Sequence, residues 1–302
     1  MNSRDFAAKV QAEIAGRLGP DYKVSTKEIV KNNGVVLQGL LIYSKKQNVT
    51  PTIYLNAFQE KYEEGESWDD IIDKILMSYR NGMPIKPVDM EFFKDFEKVK
   101  DRIAYKLINA EKNRELLTEI PHIRFLDLAV CFYYAFTHEA LGDGSILIHN
   151  VQVEAWNTNT VELLKAAQKN TRKMFDVELV DMENVLAEII TRELPEGNIE
   201  NFDLEGIIPM KVLSNRRHMY GAAAMILPGV LQEIAEEMNA SLYILPSSVH
   251  EVILMIDTGQ EQAQVLQEMV REVNETQVLP EEILSDHVYY YDRDKKEVCI
   301  LA

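Results

Sequence analysis

Short β-prone runs bounded by tight-turn residues recur along this chain, and amphipathic helical segments lie between groups of them. The clearest case is Asn33-Gly34, set between KEIVK and VVLQGLLIY. A type I′ turn needs positive φ at both central residues, and Asn-Gly meets that demand at little cost, so the two runs are expected to pair as a hairpin. So short a link joins antiparallel strands, because a parallel pair needs a crossover of about a dozen residues or more. The same logic applies to SLYIL and HEVILMI across Pro246-Ser247-Ser248, and to DHVYYYDRDKKEVCI with its turn near Arg293 to Lys296. Helices fall between strand groups rather than after every strand. The expected class is therefore α+β, with mixed, mainly antiparallel sheets and flanking helices in two to three units.

Four segments follow from the pattern. In residues 1–85, Phe6, Val10, Ile14 and Leu18 recur every fourth position as one helical stripe, ended by Gly19-Pro20. The hairpin and a strand in PTIYLNAF come next. Ser67 then caps a helix that buries Ile71, Ile72, Ile75, Leu76 and Tyr79, with Asp70 in a capping-box-like place. NGMPIKP at 81–87 punctuates the chain. Residues 86–120 are expected to be a helical connector, with Phe92, Phe96, Val99, Ile103 and Leu107 on one face. Residues 121–176 form a middle α/β unit. Its apolar run HIRFLDLAVCFYYAFTHEAL fits either a buried helix or a buried strand, and periodicity does not arbitrate. Gly142-Asp143-Gly144 reads as a turn, SILIHNVQV as a strand, and Asn159 or Thr160 as a helix start. Residues 177–302 are an acidic C-terminal α+β unit. There MYGAAAMI reads as a strand, Pro228 opens a helix, and Thr258 or Gly259 opens another with Val265, Leu266, Met269, Val270 and Val273 inward.

Charge is unevenly placed. The chain has 32 basic and 49 acidic side chains, for a net charge of −17. Residues 1–175 balance, with 24 of each sign, whereas residues 176–286 hold 22 acids against 5 bases. That block repels nucleic-acid phosphates and anionic lipid, so no direct nucleic-acid binding is expected. It also suits a solubilising surface or an acidic face that docks a basic protein. No apolar run approaches the roughly 20 residues of a membrane span, and the N-terminus lacks an apolar leader segment. With only Cys131 and Cys299, a disulfide framework is excluded. A cytoplasmic protein without membrane contact is expected.

Motifs for chemistry are sparse. There is no phosphate-binding G-x-x-x-x-G-K-[ST], no G-x-G-x-x-G after a strand, no G-x-S-x-G and no H-E-x-x-H. The six histidines are dispersed, so no metal site and no cofactor is expected. Cys131, inside an apolar run, reads as an inert buried thiol. EEGESWDD at 63–70 is acid-rich but lacks the alternation of an EF-hand loop, and its acids suit the positive end of a helix.

One local cluster stands out, LPSSVHEVI at 245–253. Ser247 and Ser248 supply hydroxyls, and His250 with Glu251 supplies an imidazole and a carboxylate, at an expected strand-to-strand turn. These four are the candidate binding residues. Strand alternation would put His250 and Glu251 on opposite faces, which disfavours a shared acid–base role, and a Pro-Ser turn has its own structural use for the hydroxyls. LPSSVHEVI, with YGAAAMILPG, REVNETQVLPEEILSDHVYYYD, KNNGVVLQG and PTIYLNAF, resembles an uncharacterised domain-of-unknown-function family of Gram-positive gut anaerobes, found on chromosomal or mobile-element islands. The resemblance spans nearly the whole chain. It implies a bacterial cytoplasmic setting and no activity, cofactor or catalytic residue. The expected function is a non-catalytic binding or regulatory protein acting on another protein. The alternatives are an acidic nucleic-acid mimic that inhibits a defence enzyme, or an enzyme whose site is assembled from dispersed residues such as Ser247, His250 and Asp127.

Overall fold

The computed structural model describes residues 1–45, 49–83, 91–138, 142–193, 210–260 and 263–301. Two units emerge, one from Met1–Asp95 with Ala135–Ser145, the other from Phe96–Tyr134 with Ile146–Ala302.

In the first unit, α1 (Ser3–Leu18) begins where the Asn2 side chain accepts the Asp5 N–H, and ends at Gly19 with φ 77°. Its four-residue stripe buries Phe6, Val10 and Ile14. β1 (Tyr22–Val30) and β2 (Val36–Ser44) pair antiparallel, with Val30 opposite Val36. Between them Asn33 and Gly34 take φ of 61° and 72°, as the Asn-Gly pair predicts. β3 (Thr52–Tyr54) adds to β2. α2 (Asn56–Glu63) leads to α3 (Trp68–Gly82), whose first turn is capped by Ser67, its Oγ accepting the Asp70 N–H at 3.2 Å. The acids of EEGESWDD serve this helix start, and Asp69 with Asp73 also accepts Arg17 at 2.6 and 2.9 Å. Ile71, Ile72 and Ile75 close onto Phe6, Leu40 and Ile42. Each fully buried side chain of this kind contributes about 1.5–3 kcal/mol to stability.

The second unit holds two sheets. In the smaller, β4 (Ile103–Asn109), β5 (His122–Phe125) and β6 (Leu128–His138) run antiparallel in the order β4-β6-β5, and β7 (Gly142–Leu147) also pairs with β6, the end of β6 and most of β7 being counted with the first unit. Short helices α4 (Phe96–Val99), α5 (Arg114–Glu119) and α6 (Asn150–Ala155) surround it, and α7 (Thr160–Met174) packs along β4. Asn159 caps α7 by accepting two N–H groups, from Val161 and Glu162. Near its other end, Asn170 donates to the Lys100 and Ile103 carbonyls at 2.7 and 2.9 Å, tying helix to strand. The larger sheet has the order β13-β12-β10-β11-β9-β8, formed by β8 (Val177–Asp181), β9 (Met210–Asn215), β10 (Leu242–Pro246), β11 (Val252–Ile256), β12 (Tyr289–Asp292) and β13 (Glu297–Ile300). α8 (Met182–Glu193), α9 (Val230–Met238) and α10 (Ala263–Thr276) accompany it. Every strand pairing described in full is antiparallel, and the class is α+β.

Several sequence expectations are corrected. The stretch from Glu91 is not one helix. Short helical turns end by Arg102, and β4 takes over, with Ile103, Tyr105 and Leu107 on one face and Ala104 and Ile108 buried on the other. Burial on both faces erases the alternation that would have marked a strand. The apolar run 122–138 is the β5–β6 hairpin. Gly142-Asp143-Gly144 begins β7 rather than forming a turn, and the strand expected through Val153 gives way to α6 after Leu147. Gly221–Ile226, read as a strand, is a 3₁₀ helix packed so closely that a Cβ on Gly221 would collide with Ser214 Oγ and the His250 carbonyl. In α10, Leu266 and Val270 are buried, while Val265 and Met269 face outward. The 84–87 part of NGMPIKP, and residues 194–209 and 261–262 of the acidic block, lie outside the described residues.

Burial gives four groups a shared pH signature. It pushes the Cys131 thiol up to about 12, and raises the phenols of Tyr105, Tyr133 and Tyr289 above their ordinary value. Each group holds its proton more tightly folded than unfolded. Stability from these groups is complete below the ordinary thiol and phenol values, near 9 and 10, and is lost as pH rises beyond them. Urea midpoints should therefore fall steadily above about pH 9. In the same range a thiol reagent should titrate Cys299, which is exposed, and leave Cys131 unmodified until the chain unfolds.

Candidate functional site

The LPSSVHE segment is the turn between β10 and β11. Its polar groups bond largely within the fold. Ser248 Oγ accepts the His250 N–H at 3.0 Å, and the Ser248 N–H donates to the Glu251 carbonyl at 3.2 Å. Ser247 Oγ reaches Glu251 Oε1 at 3.5 Å. His250 Nδ1 accepts the Tyr220 N–H at 3.2 Å, which fixes Nδ1 as the unprotonated nitrogen of the neutral ring. Its Nε2 faces Glu282 at 3.5 Å, and the ring stacks on Tyr220 with 5.7 Å between centroids. His250 thus props the loop after β9, where His218 and Tyr220 take positive φ and the Asn215 side chain accepts the Arg217 N–H and donates to the Met219 carbonyl. Ser247, Ser248, His250 and Glu251 are neighbours, but His250 and Glu251 do not bond to each other through their side chains.

Asp127 belongs to a different cluster. It sits with Leu126, at φ 55°, in the two-residue turn joining β5 to β6. Its Oδ2 accepts the Ser285 hydroxyl at 2.6 Å and lies 3.1 Å from His287 Nδ1, and its Oδ1 accepts the Tyr289 hydroxyl at 2.8 Å. Serine, histidine and aspartate are therefore together, in an order unsuited to nucleophilic catalysis. A triad places the imidazole between hydroxyl and carboxylate. Here the hydroxyl donates straight to the carboxylate, and Ser285 is 0% exposed. The arrangement is a clamp, holding residues 285–289 and the start of β12 to the β5–β6 turn. Among the described residues, no group of three or more His, Cys, Asp or Glu could hold a metal ion.

Between those two elements opens a cavity of about 410 Å³ in the second unit. The small sheet contributes Tyr105, Ile123, Arg124, Phe125 and Val130 to its lining, and α7 contributes Leu164 and Gln168. The 3₁₀ helix and the start of α9 supply Met225, Leu227, Leu231 and Gln232, and the β12–β13 hairpin supplies Tyr291, Lys296 and Val298. The volume falls within the range common to small-molecule sites, and the lining is mostly apolar with a few polar groups. The charged lining residues are Arg124 and Lys296, both exposed and both cationic. Neither forms an ion pair among the described residues. Tyr105 is 1% exposed, and its hydroxyl is sealed from solvent without a hydrogen-bond partner among the described residues. Sequence reasoning missed this cavity because five separate stretches of chain build its wall, and none of them carries a motif.

Two substitutions test this geometry. Asp127→Ala strands the Ser285 and Tyr289 hydroxyls and should cost about 2–4 kcal/mol in urea unfolding. Tyr105→Phe removes a hydroxyl that has no partner among the described residues, so stability should stay level or rise by about 1 kcal/mol. A clear loss would reveal a partner for that hydroxyl.

No curated protein and no solved structure matches the chain. No helix among the described residues is long and apolar enough to cross a membrane. A family model does match, over residues 3–293, and the chain belongs to that family, DUF5688, a family of unknown function.

Proposed function

We propose that this chain is a non-catalytic binding protein whose second unit carries a small-molecule site in the cavity between the β5–β6 hairpin, α7, the 3₁₀ helix and the β12–β13 hairpin. The observation that carries the reading is the cavity itself: about 410 Å³, apolar walls, and charged lining residues of one sign in a chain of the other. The Ser–His–carboxylate groups elsewhere in the unit support the non-catalytic part, since they bond to one another or to backbone rather than standing free around a reacting atom. In this reading the protein works in the cytoplasm, and ligand occupancy is passed to a protein partner. The acids concentrated in 176–286 favour a basic one.

Leu164 is half-buried on α7 at the cavity wall, so Leu164→Trp should fill the space without opening the core. In a thermal-shift screen of small amphiphiles, at least one class should raise the melting temperature of the natural protein as its concentration rises, by the equivalent of about 2.7 kcal/mol at a hundred times Kd. The same compounds should leave L164W unmoved. Hits that stabilise both proteins equally would place binding elsewhere.

A further inference from the structure

Taking the cavity as the binding site, we propose that its ligand is an amphipathic carboxylate, with an aliphatic or aryl body between the apolar walls and its anionic head at Arg124 and Lys296. Three observations lead there. The walls presented by Ile123, Phe125, Val130, Leu227, Leu231 and Val298 offer contact to hydrocarbon. The charge at the lining is cationic, and no acid lies there to hold an amine. Arg124 and Lys296 are also without carboxylate partners among the described residues, although the chain carries 49 acids against 32 bases. Elsewhere Arg17 pairs with Glu13, Asp69 and Asp73, Lys211 with Asp181, and Lys295 with Asp292, while Lys23, Arg80 and Lys165 likewise form no ion pair among the described residues.

The field of the acidic chain works against any anion, so an unpaired pair of cations is what an anion site here requires. A guanidinium presents a planar fork that matches a carboxylate, and the ammonium adds a second point charge. Lys296 is held at the β12–β13 turn, where its own φ is 57° and its N–H donates to the Asp292 carbonyl at 2.8 Å. Arg124 lies three residues before Asp127, whose bonds to Ser285 and Tyr289 tie the two hairpins together. The backbone positions that carry the two cations are thereby set by the fold. A phosphate ester fits less well, because the described lining is mostly hydrocarbon, even though the start of α9 at Gly229 reaches the wall.

The test uses the full chain with octanoate, 1-octanol, octylamine and acetate, each followed by calorimetry and by the Met225 methyl resonance, assigned through Met225→Leu. Octanoate should bind at least tenfold more tightly than 1-octanol, with octylamine and acetate weaker still. The double substitution Arg124→Gln and Lys296→Gln alters exposed side chains and should leave the fold intact by circular dichroism. It should cost octanoate at least tenfold and leave 1-octanol unchanged, whereas Leu164→Trp should abolish both. If 1-octanol equals octanoate, or the double variant binds octanoate normally, the carboxylate assignment is overturned while the cavity keeps its role. If no eight-carbon probe moves the Met225 methyl, the carboxylate assignment and the cavity reading fall together.

Discussion

One half-buried carboxylate organises the second unit. Asp127 sits in a two-residue turn that forces Leu126 into a left-handed conformation, which a branched side chain adopts only when its surroundings hold it there. The two hydroxyl donors and the imidazole converging on Asp127 supply that hold. The same bonds draw residues 285–289 onto the small sheet and so orient the strand that leads to Tyr291 and Lys296. Charged hydrogen bonds in a shielded place are stronger than neutral ones, and leaving their donors unmet is costly. The spacing between the two hairpins that face the cavity therefore follows from one side chain.

The other walls depend on close packing of small residues. Gly221 lies against Ser214 Oγ and the His250 carbonyl with no room for a methyl group, and Ala222, Ala223 and Ala224 are buried beside it. This lets the 3₁₀ helix approach β9 and β11 and present Met225 and Leu227 outward to the cavity. The LPSSVHE turn belongs to the same construction. His250 receives the Tyr220 N–H and stacks on its ring, so the cluster that draws the eye in the sequence supports a wall rather than a reaction.

What the sequence made legible were features with local causes. Asn33-Gly34 dictates its turn, Ser67 and Asn159 cap the helices they precede, and the β10–β11 and β12–β13 pairings follow from short connections between β-prone runs. Where local pattern and tertiary burial diverge, the reading fails. Phe96, Val99, Ile103 and Leu107 have helical spacing, yet the last two lie on a strand buried on both faces. The GAAAM run has the look of a strand because small residues carry no periodic signal, and its role is set by what packs on it. Asp127 could be singled out, but not its partners, which lie about 160 positions away. The cavity is the extreme case, since its character arises from ordinary residues such as Arg124, Leu164 and Lys296 brought together only by folding.

The account turns on whether that cavity is a preformed receptor for an amphipathic anion. Its most direct measurement is the crystal structure of the protein with 8-bromooctanoate, using the anomalous signal of bromine to place the ligand. The prediction is a single bromine peak among Val130, Leu164 and Leu231, with the carboxylate within hydrogen-bonding distance of Arg124 or Lys296. A cavity closed by its own side chains, or bromine found only at other surfaces, would contradict it.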